Sequence, residues 1–412
     1  MIKSPLDTIA ARDIGASPTR GAVAAYQLAT LRETAEYARA RSRFYREKLR
    51  DCDEIRALSD LARLPFTHPP DLAADPNAFM CLPPDAVARA VTLPTSGTTG
   101  APKRLFFTAD ELERTIDFFA HGMTAITEKR GTVAVLMPAN TPASVADLLI
   151  TALARTGCVG VALGVPSDRA EMLRRVNDSR ADCVVGLPSH VFALARTGDA
   201  PRVRSVLLCS DYVSDAVVRA IEKTWNCSVF THYGLTESGY GGAVMCAARD
   251  GMHMRETDLL VEIIDPITGA PLHDGKSGEI VLTTLTRRAQ PLIRYRTGDI
   301  ARVIPEICAC GSALRRLDRV LGRIGGGVTL ADGARLTMPQ LDEIVYAVPD
   351  VAAFDAVLSG NSLKITTDGG DTDAVRDALK ALPQLHSVEV RVVAGAVPFR
   401  GVAKRDIAVD RV

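Results

Sequence analysis

Between residues 109 and 230 the chain alternates two kinds of segment, and this alternation limits what it can fold into more than any other feature. Helical spacing of apolar residues marks Glu111–Thr127, Ser144–Arg155, Asp168–Asp178 and Val213–Trp225. Short apolar runs fall between and after them, at Val133–Met137, Cys158–Leu163, Cys183–Gly186, Val203–Cys209 and Ser228–Phe230. A strand that is apolar on both faces must be covered on both, and helices recurring between such strands supply the cover and the crossover. The pattern predicts an α/β fold: mainly parallel sheet flanked by helices.

Other textures flank this core. Leu28, Leu31, Ala35, Ala38 and Phe44 are spaced for one helix within Val23–Leu49. From Met252 to Ile304 strands take over: Leu259–Ile264 ends at the turn Asp265-Pro266, and Glu279–Leu285 follows the turn Asp274-Gly275-Lys276. A β-rich subdomain is expected over about residues 244–323. Gly325-Gly326-Gly327 has no side chains to lock its backbone and is read as a hinge. Beyond it, helices at Pro339–Val348 and Asp373–Leu382, two strands within Phe354–Thr366 and a strand at Ser387–Val393 predict a small α+β domain. The expected division is a large domain, 1–323, and a small mobile domain, 324–412.

Composition narrows the function classes. The 49 basic residues balance 49 acidic ones, so no global field recruits nucleic acid or an anionic membrane, and any anionic ligand must be held locally. Met1–Arg20 has no apolar run of the signal-peptide kind, and Ala143–Val165 is interrupted by Asp147, Arg155 and three glycines, so a membrane span is not expected. Nine cysteines without an export signal are expected to be reduced in a cytoplasmic setting, with Cys158, Cys183, Cys209 and Cys227 as small core residues.

Chemistry concentrates in three segments. Thr95-Ser96-Gly97-Thr98-Thr99-Gly100-Ala101-Pro102-Lys103 puts two glycines, four hydroxyls and one ammonium in a single loop. Glycine lets backbone N–H groups turn toward an anion, hydroxyls donate, and lysine adds a mobile point charge, so the loop suits phosphate; a polar hairpin turn is the plainer alternative. His232-Tyr233-Gly234-Leu235-Thr236-Glu237 follows an apolar strand, where open α/β sheets bind ligands, and Glu237 suits Mg²⁺. Arg294-Tyr295-Arg296-Thr297-Gly298-Asp299 ends in a carboxylate fit to accept from the vicinal hydroxyls of a ribose.

Together these strings resemble the signatures of the adenylate-forming superfamily: T-S-G-T-T-G-x-P-K, Y-G-x-T-E and Y-x-T-G-D. The resemblance implies that the loop wraps the phosphates of ATP with Lys103 among the contacts. It further implies that Tyr233 flanks the adenine, Thr236 touches the α-phosphate, Glu237 coordinates Mg²⁺ and Asp299 holds the ribose. Arg323 matches the arginine that reaches ribose or phosphate, and Ser210 and Asp211 fall where the superfamily cradles adenine, without its usual sequence there. Phe44-Tyr45-Arg46-Glu47-Lys48-Leu49, Leu64-Pro65-Phe66-Thr67, Thr283-Thr284-Leu285-Thr286-Arg287 and Pro291-Leu292-Ile293-Arg294-Tyr295 are most similar to phenylacetate-CoA ligases. What this implies is ATP-dependent activation of a small, aromatic carboxylic acid to an acyl-adenylate, transfer to CoA, and often a homodimer.

Two further features qualify that expectation. Cys246 and His253, with Cys308 and Cys310, offer three thiolates and one imidazole, the donor set of a closed structural zinc site; unrelated polar loop residues are the alternative. Phenylacetate-CoA ligase-like proteins often carry such residues at these places, which favours zinc. The superfamily ends in a P-R-x-x-G-K-A-x-R pattern whose lysine is catalytic, whereas Pro398-Phe399-Arg400-Gly401-Val402-Ala403-Lys404-Arg405 has Val402 at that lysine's place. Either Lys404 or Arg400 takes the role, or adenylation is slow, or the tail serves another purpose. Transfer of the adenylate to a carrier-protein thiol, an amine or another nucleophile is therefore a second expectation, and a non-catalytic nucleotide-binding regulator a third.

Overall fold

The computed structural model describes residues 4–93, 102–399, 401 and 404–410. The chain forms two compact units, one of Met1–Ala125, Asp147–Arg155 and His232–Val320, the other of Ile126–Ala146, Thr156–Thr231 and Leu321–Val412.

The second unit holds the predicted parallel sheet. Residues 228–231, Ser205–Leu208, Cys183–Gly186, Thr132–Val135 and Val159–Ala162 run parallel in that spatial order. Helix Arg169–Asp178 starts where the Asp168 side chain accepts from the Glu171 N–H, and helix Asp215–Trp225 where Ser214 does the same for Val217. A further helix, Pro188–Thr197, is absent from the sequence expectation; proline opens its first turn, and Val191, Phe192 and Leu194 are buried.

The tail follows its prediction closely. Helix Met338–Val345 leads into the hairpin Ala353–Ser359 and Ser362–Asp368, then helix Thr372–Leu379. Glu389–Ala394 then runs parallel to the second hairpin strand and Ala408–Val409 parallel to the first. One continuous apolar cluster joins Val184, Val206 and Phe192 to Tyr346, Phe354 and Ile365. Each such side chain, fully buried, contributes about 1.5–3 kcal/mol. In the glycine triplet, Gly327 has a positive φ of 79°, and a Cβ there would meet the Leu336 carbonyl oxygen at 2.2 Å. Steric need, and not freedom alone, accounts for that glycine.

The first unit departs from expectation near its start. The single helix anticipated over Val23–Leu49 is two, Arg20–Arg41 and Arg43–Lys48. Extended Ser42 ends the first, and its hydroxyl accepts from the Tyr45 N–H to cap the second. Strands Arg89–Leu93 and Lys103–Phe107 pair antiparallel, with Leu93 opposite Lys103, so Lys103 opens the second strand. Helix Ala109–Met123 follows, its first turn closed by a reciprocal Thr108–Glu111 capping box.

Strands Leu259–Ile264, Gly278–Thr284 and Tyr295–Ala301 form an antiparallel run. Along the last, Tyr295, Thr297, Asp299 and Ala301 alternate inward, so a strand period of two puts the tyrosine and the aspartate on one buried face. Short strands Ala243–Met245, Met252–Met254, Val303–Ile304 and Arg316–Leu317 pair antiparallel, and His232 and Tyr233 pair with Val244 and Ala243. Among the described residues no helix is long and apolar enough to cross a membrane.

Candidate active site and metal cluster

Thr95, Ser96, Gly97, Thr98, Thr99 and Gly100, expected from the sequence to bind phosphate, lie outside the described residues, as do Arg400 and Val402. Lys103, where the loop re-enters a strand, is described. Its ammonium donates to Glu237 Oε1 at 2.5 Å and to the Tyr295 hydroxyl at 3.3 Å, while that hydroxyl donates to the same Oε1 at 2.9 Å. Glu237 is 6% exposed. Burial alone would raise its carboxyl, but the Lys103 charge and hydrogen bond, joined by Tyr295, outweigh it and hold the group below the usual carboxylate range. Glu237 is thus an ionised buried carboxylate whose principal partner is one flexible lysine.

The turn that carries Glu237 is built by its own sequence. Ser238 Oγ accepts from the Leu235 N–H at 3.0 Å, the Tyr240 N–H donates to the Leu235 carbonyl at 2.8 Å, and the Gly242 N–H donates to that of Tyr233 at 2.9 Å. A Cβ at Gly234 would stand 2.2 Å from the Tyr240 carbonyl oxygen, which explains the glycine between Tyr233 and Thr236. Thr236 is half-buried in this turn. In the same unit the Tyr233 hydroxyl donates to Asp299 Oδ2 at 3.1 Å, and Asp299 is 3% exposed. His232 points at Phe118 and Phe119, with ring centroids 6.0 and 6.4 Å away. Burial pushes its imidazole down to about 4, so it is neutral at neutral pH.

The structure therefore brings Lys103 and Glu237 together, and Tyr233 with Asp299. Tyr295, which the sequence offered only as a letter of the third motif, joins the first pair through both its neighbours.

Ser210, Asp211, Arg323 and Lys404 belong to the second unit. Ser210 has a positive φ of 72°, a tight backbone at the end of a parallel strand. Asp211 accepts from the Tyr212 N–H at 2.9 Å and the Arg405 N–H at 3.4 Å. Burial raises its carboxyl, opposed by those N–H groups and by the charges of Lys404 and Arg405. Arg323 lines a cavity of about 510 Å³ with Tyr212, Arg335, Gln340 and Glu343.

Cys246, His253, Cys308 and Cys310 converge, their ligand atoms all within 4.8 Å of one another, and each is at most 6% exposed. The sulfurs of Cys246 and Cys308 are 3.7 Å apart, far beyond the roughly 2.05 Å of a disulfide. Two thiolates on a tetrahedral zinc at about 2.3 Å would stand about 3.8 Å apart. Cys310 Sγ lies 3.3 Å from His253 Nε2, while His253 Nδ1 is 3.1 Å from the Leu314 carbonyl. With Nδ1–H donating to that carbonyl, the Nε2 lone pair faces the sulfurs, the usual arrangement of a histidine ligand.

The buried acid Glu237, the buried Asp299 bonded to Tyr233 and the glycine-tightened turn fit an adenylate-forming enzyme, and comparison with known proteins shows that class. The family of AMP-binding enzymes matches residues 24–285, and the chain belongs to it. Within it the chain is phenylacetate-CoA ligase-like. It is 30% identical to the phenylacetate-coenzyme A ligase of Thermus thermophilus over 79% of this chain and 76% of that protein. Against the enzyme of Escherichia coli K12 the figures are 29%, 77% and 75%. The fold is that of 2-hydroxyisobutyryl-CoA ligase crystallised in the postadenylation state with 2-HIB-AMP: TM-score 0.79, 18% identity, 93% of this chain and 89% of that one. An amide bond synthetase of Marinactinospora thermotolerans shares it at TM-score 0.55 and 17% identity, over 78% and 68%.

Proposed function

We propose that the chain is an AMP-forming acid-CoA ligase acting on a small, aromatic carboxylic acid. A substrate carboxylate oxygen attacks the α-phosphorus of ATP and pyrophosphate leaves; the CoA sulfur then attacks the acyl carbonyl and AMP leaves. Two anions meet in the first step, so the site must supply positive charge and alignment. The observation that carries the reading is Lys103 paired with Glu237 inside the unit that also holds Tyr233 against Asp299. Lysine is a compact charge on a flexible stem and changes partners readily. On ATP binding Lys103 turns to the β- and γ-phosphates with the loop Thr95–Gly100, and Glu237 is left free for Mg²⁺. Bound there, Mg²⁺ supplies the charge that screens the phosphates.

Thr236 then meets the α-phosphate, Tyr233 the adenine and Asp299 the ribose hydroxyls, with Ser210 and Asp211 on the adenine side and Arg323 toward ribose or phosphate. Lys404 replaces the lysine that Val402 lacks, and residues 324–412 act as the small mobile domain hinged at the glycine triplet. Cys246, His253, Cys308 and Cys310 hold a structural zinc with no position open to substrate, which metal analysis of the purified protein tests directly. Nine free cysteines fit a reducing, cytoplasmic location. A homodimer is checked by light scattering on the same preparation.

The test is pyrophosphate release with Mg·ATP and a panel of aromatic and aliphatic acids, with and without CoA. Release that depends on one acid and turns over repeatedly only with CoA supports the ligase. Val402 favours a second reading, adenylate transfer to an amine or a carrier-protein thiol. Acid-dependent release indifferent to CoA would support that instead, and no release with any acid would sink both.

A further inference from the structure

Arg405 is the most heavily anchored residue of the C-terminal segment. Its side chain is 11% exposed although it lies three residues before a short edge strand, Ala408–Val409. The guanidinium pairs with the Asp342 carboxylate on helix Met338–Val345 and donates to the Phe354 carbonyl at 2.8 Å. It also stacks over the rings of Phe354 and Tyr346, 4.3 and 5.1 Å from their centroids. Its backbone N–H donates to the Asp211 carboxylate. One arginine thus ties the tail segment to a helix, to a strand and to the loop that ends a parallel strand.

Arg405 is drawn inward while its chain neighbour Lys404 is exposed, and the Lys404 charge acts on the Asp211 carboxylate, which also accepts from the Arg405 N–H. Lys404 lies outside any helix or strand, four residues before Ala408–Val409, and would otherwise sample many positions; fixing the backbone beside it removes that freedom before the reaction begins.

We infer that Arg405 is a positioning residue for acid activation: through Asp342, Phe354 and Asp211 it fixes the backbone that carries Lys404 beside Asp211, in place of the absent lysine. The inference rests on the proposed function, in which Lys404 supplies the missing charge. An arginine is needed because a lysine at 405 keeps the charge but cannot bond Asp342 and the Phe354 carbonyl together while lying flat on two rings.

The experiment is a double-mutant cycle on acid-dependent pyrophosphate exchange, with thermal unfolding measured for every protein. Arg405→Lys should lower the exchange rate between about 10- and about 100-fold with the KM for ATP little changed, since misplacing a group by ~1 Å costs on that order. Asp342→Asn, which leaves Arg405 in place, should act in the same direction more weakly. Lys404→Ala should cost at least as much as Arg405→Lys, and adding either second substitution to it should cost nothing further. Losses that multiply in the Lys404→Ala background would make Arg405 a purely structural residue and overturn the inference. So would an Arg405→Lys protein that exchanges like the wild type. A wild-type protein that exchanges with no acid would instead overturn the proposed function, and the positioning role with it. Cleavage after Lys404 by a lysine-specific protease provides a readout independent of activity: it should be faster in Asp342→Asn, which adds no lysine, at unchanged unfolding temperature, and equal cleavage would contradict the anchoring.

Discussion

Glu237 and Asp342 are equally buried, each 6% exposed, and each faces one cation, yet their carboxyls move in opposite directions. Glu237 is held down by Lys103 and a tyrosine hydroxyl in spite of burial. For Asp342 burial prevails over Arg405, and the neighbouring carboxylates Asp211 and Glu343 add to it, pushing the group up to about 6. The cation differs too. Lys103 holds Glu237 by a single flexible contact, whereas Arg405 is fixed by a fork, a carbonyl and two rings. Under the proposed function Glu237 receives Mg²⁺, a role suited by an exchangeable partner, whereas an acid that anchors a chain segment is suited by a rigid one.

The sharpest way to break this contrast is Glu237→Gln. The amide keeps the shape and loses the charge, so Lys103 loses its ionised partner and the Mg²⁺ position its carboxylate. We expect acid-dependent pyrophosphate exchange to fall by about 10² to 10³, the usual loss for one electrostatic contact to the transition state, with the circular dichroism spectrum unchanged. A variant within a few-fold of wild type would show that Glu237 is a structural ion pair only.

The second test uses pH. Because Asp342 is raised to about 6 in the folded state and an unfolded aspartate titrates near 3.9, the folded protein binds the extra proton between those values. The stability it contributes is full below about pH 4 and is lost as pH rises through about 6, roughly 3 kcal/mol at 1.36 kcal/mol per unit. Glu237 has the opposite sign: its contribution is present above the unfolded glutamate value and is lost as pH falls through its depressed folded value. Urea unfolding of wild type and Asp342→Asn from pH 4 to 7 isolates the first effect. The difference between the two curves should change across the window in favour of the variant, and parallel curves would mean that Asp342 is not raised.

Regions differ as well in how far the sequence reveals them. The inner parallel strands Cys183–Gly186 and Ser205–Leu208 were legible because burial on both faces writes itself as an apolar run, whereas Val159–Ala162 at the sheet edge is apolar yet partly exposed; the tail was legible because its helices are locally marked. Helix Pro188–Thr197 is marked only by proline in its first turn before Val191, Phe192 and Leu194, a signal too short to stand out between two strand-like runs. Ser42 divided a helix because a capping hydroxyl overrode apolar spacing. In the site, Lys103, Glu237 and Asp299 were legible as motif letters, and the cysteine–histidine pairs as a donor set whose four side chains do converge. The Arg405–Asp342 anchor was not legible. Its partners lie 63 residues apart; Arg405 falls on the last letter of the C-terminal pattern, but nothing in the sequence pairs it with Asp342, and only the packing of helix, strand and tail brings them together.

The smallest expected effect concerns Tyr295. Its hydroxyl donates to Glu237 and accepts from Lys103, so Tyr295→Phe leaves the ion pair standing and removes one of the groups that hold the carboxyl down. A hydrogen bond to a charged group is worth about 1.5–3 kcal/mol, and because Lys103 remains we expect the low end, a loss of roughly tenfold in kcat/KM for ATP. The direction of the pH change is more telling than its size. With one stabilising donor gone the Glu237 carboxyl rises, so the acid limb of the kcat/KM profile, which reports the free enzyme, must move to higher pH. A tenfold loss without that movement would mean that Tyr295 acts by packing alone. Movement without loss would mean that Lys103 by itself suffices to keep Glu237 ready for Mg²⁺.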